Sequence, residues 1–214
     1  MRESPILLIF DFDNTLIDSR IDFAHLRGAL VDLLEAAGPL PGPREALMRL
    51  PIRDLLEQAA GSPDLTRAMW ATIEAFEAVG LQDAQAMPHA RAVLAALAAR
   101  GLRLALLTNN AGAATAALLD RLGLASAFDL TVSRDDLPAL KPDPSGIRLI
   151  LERLGPARAV YLIGDSWIDG LAAQAAGVRF VGFGGRRAEV EARGIRPWAW
   201  ITDLRELLDL DWAV

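Results

Sequence analysis

Apolar residues are distributed along this chain in two textures. From Pro88 onward, short apolar runs alternate with longer segments in which apolar positions recur every three or four residues. The runs predict strands at 102–107, 128–133, 159–163 and 178–183, with a short one near 199–201. The periodic segments predict helices at 90–100, 113–122, 146–154 and 167–176, with a closing helix at 204–210; Gly101, Gly123 and Gly177 stop three of them. Upstream the texture differs. One continuous apolar run, "ILLIF" at 6–10, reads as a buried strand, but 19–87 contains no convincing strand. That region predicts helices near 22–37, 44–59 and 64–79, the first with Leu26, Leu30, Leu33, Leu34 and Ala37 on one face and broken by "GPLPGP".

Strands alternating with helices of this length imply βαβ units and a parallel sheet covered on both faces. A single parallel strand cannot stand alone, so the strand at 6–10 belongs with the downstream half. The predicted fold is α/β, a Rossmann-like parallel sheet flanked by helices. Its core is discontinuous, 1–18 and 88–214, and 19–87 is an all-helical insertion.

Composition narrows the classes of function. The chain has 214 residues, 52% of them hydrophobic, which is enough to bury a sizeable core. A net charge of −6 argues against nucleic acid or a membrane surface as partner. With no cysteine, disulfides and thiolate metal sites are excluded. Arginines interrupt the longest apolar stretches, as in "AVLAALAARGLRLALLT", so no membrane span is expected, and a cytoplasmic location is the default. Of 22 basic residues, Lys141 is the lone lysine, and asparagine occurs only at 14, 109 and 110. A chain that solvates its surface with arginine keeps lysine either by chance or where a compact ammonium is required.

In open parallel sheets, ligands bind beyond the carboxyl ends of the strands. Four polar groups fall there: Asp11 with Asp13, Thr108 with Asn109, Lys141 on a loop, and Asp165 with Asp169. Each also has a plainer reading. Asp11 and Asp13 are acceptable turn residues, yet two acids at i and i+2 on extended chain repel unless a cation or proton intervenes. "LLTNN" reads as a helix cap, "LKPDP" as a turn and "GDSWID" as a helix start. His25 and His89 lack ligand spacing and read as structural, and the five tryptophans as core.

Taken together, "DFDNT", "LLTNN", "LKPDP" and "IGDSWID" resemble, in order, the four motifs of the haloacid dehalogenase-like hydrolase superfamily, and the likeness spans the chain. The resemblance is to its phosphatase branch with a helical cap, similar to phosphoglycolate phosphatases. It implies that 19–87 is a cap that closes over the site to exclude water, with Asp18 at the start of its hinge. It also implies a nucleophilic Asp11 that forms an aspartyl-phosphate, and an acid/base role for Asp13. Mg²⁺ would be held by Asp11, the Asp13 carbonyl and Asp165. Thr108, the Asn109 N–H and Lys141 would bind the phosphoryl group, with Thr15 and Asp169 in support. An acid at 13 marks the phosphatases and phosphomutases and is lacking in the dehalogenase and phosphonatase branches. Asn14 stands where glycine is frequent, and Asn110 where phosphoglycolate phosphatases often carry lysine.

The expected activity is Mg²⁺-dependent hydrolysis of a small phosphorylated metabolite. Arg20, Arg27, Arg49 and Arg53 either grip an acidic substrate or solvate their helices. The alternatives are a phosphomutase, or a binding module controlled by a phosphorylated aspartate. Neither substrate identity nor oligomeric state follows from the sequence.

Overall fold

A computed structural model describes residues 4–212. The chain divides into two compact units, one formed by 1–18 with 85–214 and the other by 19–84. In chain order the elements are β1 (Ile6–Phe10), β2 (Ile17–Asp18), α1 (Phe23–Ala37), α2 (Arg44–Leu47), α3 (Ile52–Glu57), α4 (Pro63–Gln82), β3 (Gln85–Ala86) and α5 (Ala90–Ala99). They continue with β4 (Arg103–Leu107), α6 (Gly112–Leu122), β5 (Leu130–Val132), α7 (Ser145–Leu154), β6 (Ala159–Gly164), α8 (Trp167–Ala176), β7 (Arg179–Phe183), α9 (Arg187–Glu191) and β8 (Ala199–Ile201).

The first unit is a Rossmann-like α/β domain. Its six-stranded sheet has the order β5-β4-β1-β6-β7-β8, and every pair is parallel. The chain fills one side of β1 through β4 and β5, then crosses to the other side through β6, β7 and β8. β1 is therefore the topological switch point, where a parallel sheet opens a crevice at its carboxyl edge. Leu7, Leu8, Ile9 and Phe10 are completely buried, as a strand covered on both faces requires. Leu7 and Ile9 share one apolar cluster with Leu107, Leu162, Ile147 and Ile150, which packs α7 against the sheet. Side chains of this size each contribute roughly 1.5–3 kcal/mol on burial, so the strand that carries the acids is among the least movable parts of the unit.

The second unit has its own core. Leu26, Leu30, Val31 and Leu34 of α1 meet Leu55 and Met69, while Ala37, predicted on the same face, is exposed. Asp22 caps α1 by accepting the Ala24 and His25 N–H groups, and Ser62 caps α4 ahead of Pro63.

Three predicted elements differ. The single helix expected over 44–59 is split into α2 and α3, because Pro51 has no N–H to continue a helix and starts a new one instead. The closing helix is a 3-10 turn over Leu204–Leu208, closed by a reciprocal Asp203–Glu206 cap. And the region read as strand-free ends in a strand: Gln85–Ala86 pairs antiparallel with Ile17–Asp18. That ribbon moves the division between the units from 87/88 to 84/85. Two residues are too few to produce an alternating pattern in sequence. Among the described residues no helix is long and apolar enough to cross a membrane.

Within the helical unit, Gly80 marks a close approach. A Cβ there would lie 2.6 Å from both the Ile21 Cα and its backbone nitrogen, and the Gly80 carbonyl accepts the Arg20 N–H at 3.1 Å. Backbone cannot swing aside as a side chain tip can. Gly80→Ala is expected to destabilise the protein by about 1–3 kcal/mol, while Val79→Ala, at a position 76% exposed, leaves the denaturation midpoint nearly unchanged. Urea unfolding of both variants checks this.

Candidate functional site

Asp11 follows β1 directly and prolongs its pairing, its N–H donating to the Ile163 carbonyl at 2.8 Å. Beyond it the chain folds back. The Leu16 and Ile17 N–H groups bond to Phe12 O, and Asn14 N–H to Ile17 O. This turn holds Asn14 at φ 57°, left-handed space that asparagine tolerates better than most residues and glycine better still. It also returns Thr15 beneath Asp11, so that the Thr15 hydroxyl donates to Asp11 Oδ2 at 3.1 Å. Phe12, between the two acids, is fully buried.

Lys141 is at the centre of the cluster. Its Nζ donates to Asp11 Oδ1 at 2.5 Å, to Asp169 Oδ1 at 2.7 Å and to the Leu107 carbonyl at 3.1 Å. An ammonium has three protons, and all three are used. A guanidinium is too broad for that arrangement, which answers why one lysine persists among arginines. The Asn109 side chain fixes the backbone of Lys141 on both sides: Oδ1 accepts the Lys141 N–H at 2.9 Å and Nδ2 donates to its carbonyl at 3.2 Å.

Thr108 is fully buried at the end of β4, and its Oγ1 accepts the Asn110 N–H at 3.1 Å. Neither Thr108 nor an asparagine caps α6. Ala111 occupies the cap position, and Asp135 accepts the Gly112 N–H instead. Asn110 Nδ2 donates to Asp13 Oδ2 at 2.7 Å, tying the loop after β4 to the loop after β1.

After β6, Ser166 caps α8 in a reciprocal box. Asp169 Oδ2 accepts the Ser166 N–H at 3.2 Å and its hydroxyl at 2.6 Å, while Asp169 Oδ1 faces Lys141. Gly164 makes room for this, since a Cβ there would lie 2.5 Å from Asp169 Cγ. Asp165 Oδ2 lies 3.3 Å from Nη1 of Arg186, on the loop after β7.

Carboxylate oxygens of Asp11, Asp165 and Asp169 lie within 4.8 Å of one another, and all three residues are buried. Burial raises Asp11 well above the usual carboxylate range, and Asp169 raises it further, against the opposing pull of Lys141. Burial, with Asp169, also lifts Asp165 to about 7, with Arg186 and Lys141 pulling the other way. Burial lowers Lys141, but Asp11 and Asp169 outweigh it and the amine is held firmly protonated. The acids thus lack compensating charge. The donors are all oxygen, the choice of a hard divalent cation such as Mg²⁺. Both oxygens of Asp169 serve Lys141 and Ser166, both oxygens of Asp11 serve Lys141 and Thr15, and Asp165 faces Arg186 through Oδ2.

Every site residue predicted from sequence except Asp13 and Asp165 is linked to Lys141 or Asp11 by one hydrogen bond or through a backbone neighbour. Asp13 joins through Asn110, and Asp165 through its proximity to Asp11. His25, on α1, is exposed and pairs with Asp22, and His89 precedes α5 in left-handed space.

The sequence profile of the haloacid dehalogenase-like hydrolases matches residues 8–183. The chain belongs to that family.

As a haloacid dehalogenase-like hydrolase it has close curated relatives. A phosphoglycolate phosphatase of Yersinia pseudotuberculosis is 36% identical over 185 residues, spanning 81% of this chain and 78% of the relative. Another, of Pseudomonas fluorescens, is 33% identical, with 95% and 79% covered. Among solved structures, a hydrolase from Pseudomonas syringae has TM-score 0.71 at 22% identity, covering 97% of both chains. A haloacid dehalogenase-like hydrolase from Streptococcus pneumoniae has TM-score 0.69 at 20% identity, with the same coverage. At these identities the likeness is one of fold.

Three further residues contribute to this hydrolase site: Ser166, which lies within the "IGDSWID" motif, and two arginines that carried no distinct signal in the sequence. Arg134 is buried and its guanidinium reaches the Asn109 carbonyl at 3.4 Å, Ser166 holds Asp169, and Arg186 meets Asp165. In a chain so rich in arginine, neither Arg134 nor Arg186 stands out.

Asp165 makes stability depend on pH. Its carboxyl titrates near 7 in the folded, metal-free protein, against an ordinary value of 3.8. Between these values the folded state holds more protons than the unfolded, so stability falls as pH rises from about 4 through 7. In EDTA, the melting temperature is expected to drop by several degrees between pH 5 and pH 8. Asp165→Asn should flatten that slope, as thermal scans would record.

Proposed function

We propose that this protein is a Mg²⁺-dependent phosphatase that hydrolyses a small phosphorylated metabolite through an aspartyl-phosphate on Asp11. One observation carries the reading: a buried, hydrogen-bonded carboxylate at a strand end, held against a protonated lysine, with a second acid two residues on. The phosphoglycolate phosphatases among its relatives support it, and make phosphoglycolate the first metabolite to assay.

The roles follow from the contacts. A phosphate ester resists nucleophiles because its oxygens are already negative, so attack by a carboxylate needs opposing charge and fixed aim. Thr15 and Lys141 fix the aim by taking one Asp11 oxygen each. The Lys141 ammonium also faces the charge that spreads over the transferring group. Thr108 Oγ1 and the Asn109 N–H provide donors to phosphoryl oxygens. Asp13 gives its proton to the departing alkoxide and then takes one from the water that cleaves the aspartyl-phosphate. Asn110 orients Asp13 through its amide. Asp11, Asp165 and the Asp13 carbonyl would hold Mg²⁺, which supplies positive charge that keeps Asp11 ionised and polarises the phosphoryl group. In this reading 19–84 is the cap, inserted after the nucleophile strand with a core of its own.

Hydrolysis of p-nitrophenyl phosphate tests the proposal. Activity is expected with MgCl₂ and to be lost with EDTA. Asp11→Asn should fall to background, and Asp13→Asn should lose about 10²–10⁴-fold. Full activity in Asp11→Asn would overturn the nucleophile assignment.

A further inference from the structure

Arg186 has no part in the chemistry above, yet it lies 3.3 Å from a carboxylate assigned to the metal. The segment that carries it is firmly held. Gly184 N–H donates to the Ile201 carbonyl at 2.9 Å, and the Gly184 carbonyl accepts Trp200 Nε1–H at 2.8 Å. Gly184 adopts φ 79°, which turns the chain sharply after β7. The Arg186 backbone is thereby anchored through Gly184, two residues before it and next to the end of β7. Its side chain is not: it is 53% exposed, whereas that of Asp165 is 12% exposed. Neighbouring arginines are committed elsewhere. Arg187 pairs with Glu191, and Arg193 with Glu189 while stacking over Trp167.

We infer that Arg186 is a built-in competitor for the divalent cation, occupying Asp165 in the metal-free protein and yielding it when metal binds. This rests on the assignment of Asp165 as a metal ligand. A guanidinium at this distance both occupies a carboxylate oxygen and opposes a second cation. Because its head is half in water, leaving Asp165 exposes no newly desolvated charge. Arg186 thus stabilises the empty site, where buried acids would otherwise repel, and lowers its affinity for the ion.

Calorimetric titration of Mn²⁺ into the metal-free full chain tests this, together with melting curves in EDTA and in saturating MgCl₂. Arg186→Gln is expected to bind Mn²⁺ about fivefold more tightly than the wild type, and Arg186→Lys, which keeps the charge, to stay close to it. In EDTA the glutamine variant should melt lower than the wild type, and in MgCl₂ that gap should close. A residue that merely packs the loop would lower both melts equally. Unchanged or weaker Mn²⁺ binding by Arg186→Gln, or an equal drop in both melts, overturns the inference while leaving the phosphatase reading intact. A wild type that binds no Mn²⁺ overturns this inference together with the metal assignment.

Discussion

The site depends on one buried ammonium shared between two carboxylates. Lys141 is almost wholly removed from water, and so are Asp11 and Asp169. Taking such charges into the interior costs several kcal/mol per ion, and the arrangement persists only because every proton of the amine has an acceptor. Each surrounding loop is shaped by that requirement. Asn109 fixes the lysine from the backbone side, Ser166 holds Asp169 from below, and Gly164 leaves the space that Asp169 fills.

The lysine neutralises only one of the acids around it. Asp11, Asp165 and Asp169 converge because the adjacent parallel strands β1 and β6, the second leading into α8, end at the same edge, not because they attract each other. Folding energy comes from the sheet: the apolar residues of β1, β4 and β6 pack regardless of what lies at their ends. The strand ends can then impose an arrangement that free side chains would never adopt. The residual negative charge is what a bound cation would offset, and the raised Asp11 and Asp165 carboxyls express the same imbalance in protons.

Much of this was legible in the amino-acid order. Long apolar runs marked the strands of the sheet, since burial on both faces leaves an unmistakable pattern, and their alternation with helices implied parallel pairing with polar groups at the carboxyl edge, though not the order of the strands. Lys141 and the three asparagines were conspicuous by rarity. What could not be read depends on partners distant in sequence. The Asn109 clamp on Lys141 spans 32 residues and the Asn110–Asp13 bond 97. Arg186 is one of many arginines, and only its position beside Asp165 distinguishes it. Pro51 was visible, but periodicity on either side of it masked the break. The ribbon of β2 and β3 is too short to have a period at all.

That ribbon has a consequence for how the protein can change. Antiparallel partners lie about 5 Å apart, so the chain leaves the α/β domain at Asp18 and re-enters it at Gln85 through neighbouring residues. Sixty-odd residues of independently cored helix are spliced in at what is, for the sheet, merely a tight turn. Insertions that begin and end at one point do not disturb the register of their host. The helical unit can therefore lengthen, shrink or be exchanged while β1 continues to hold Asp11 where it is. In this architecture the chemistry and the part free to diversify are separable at a two-residue seam.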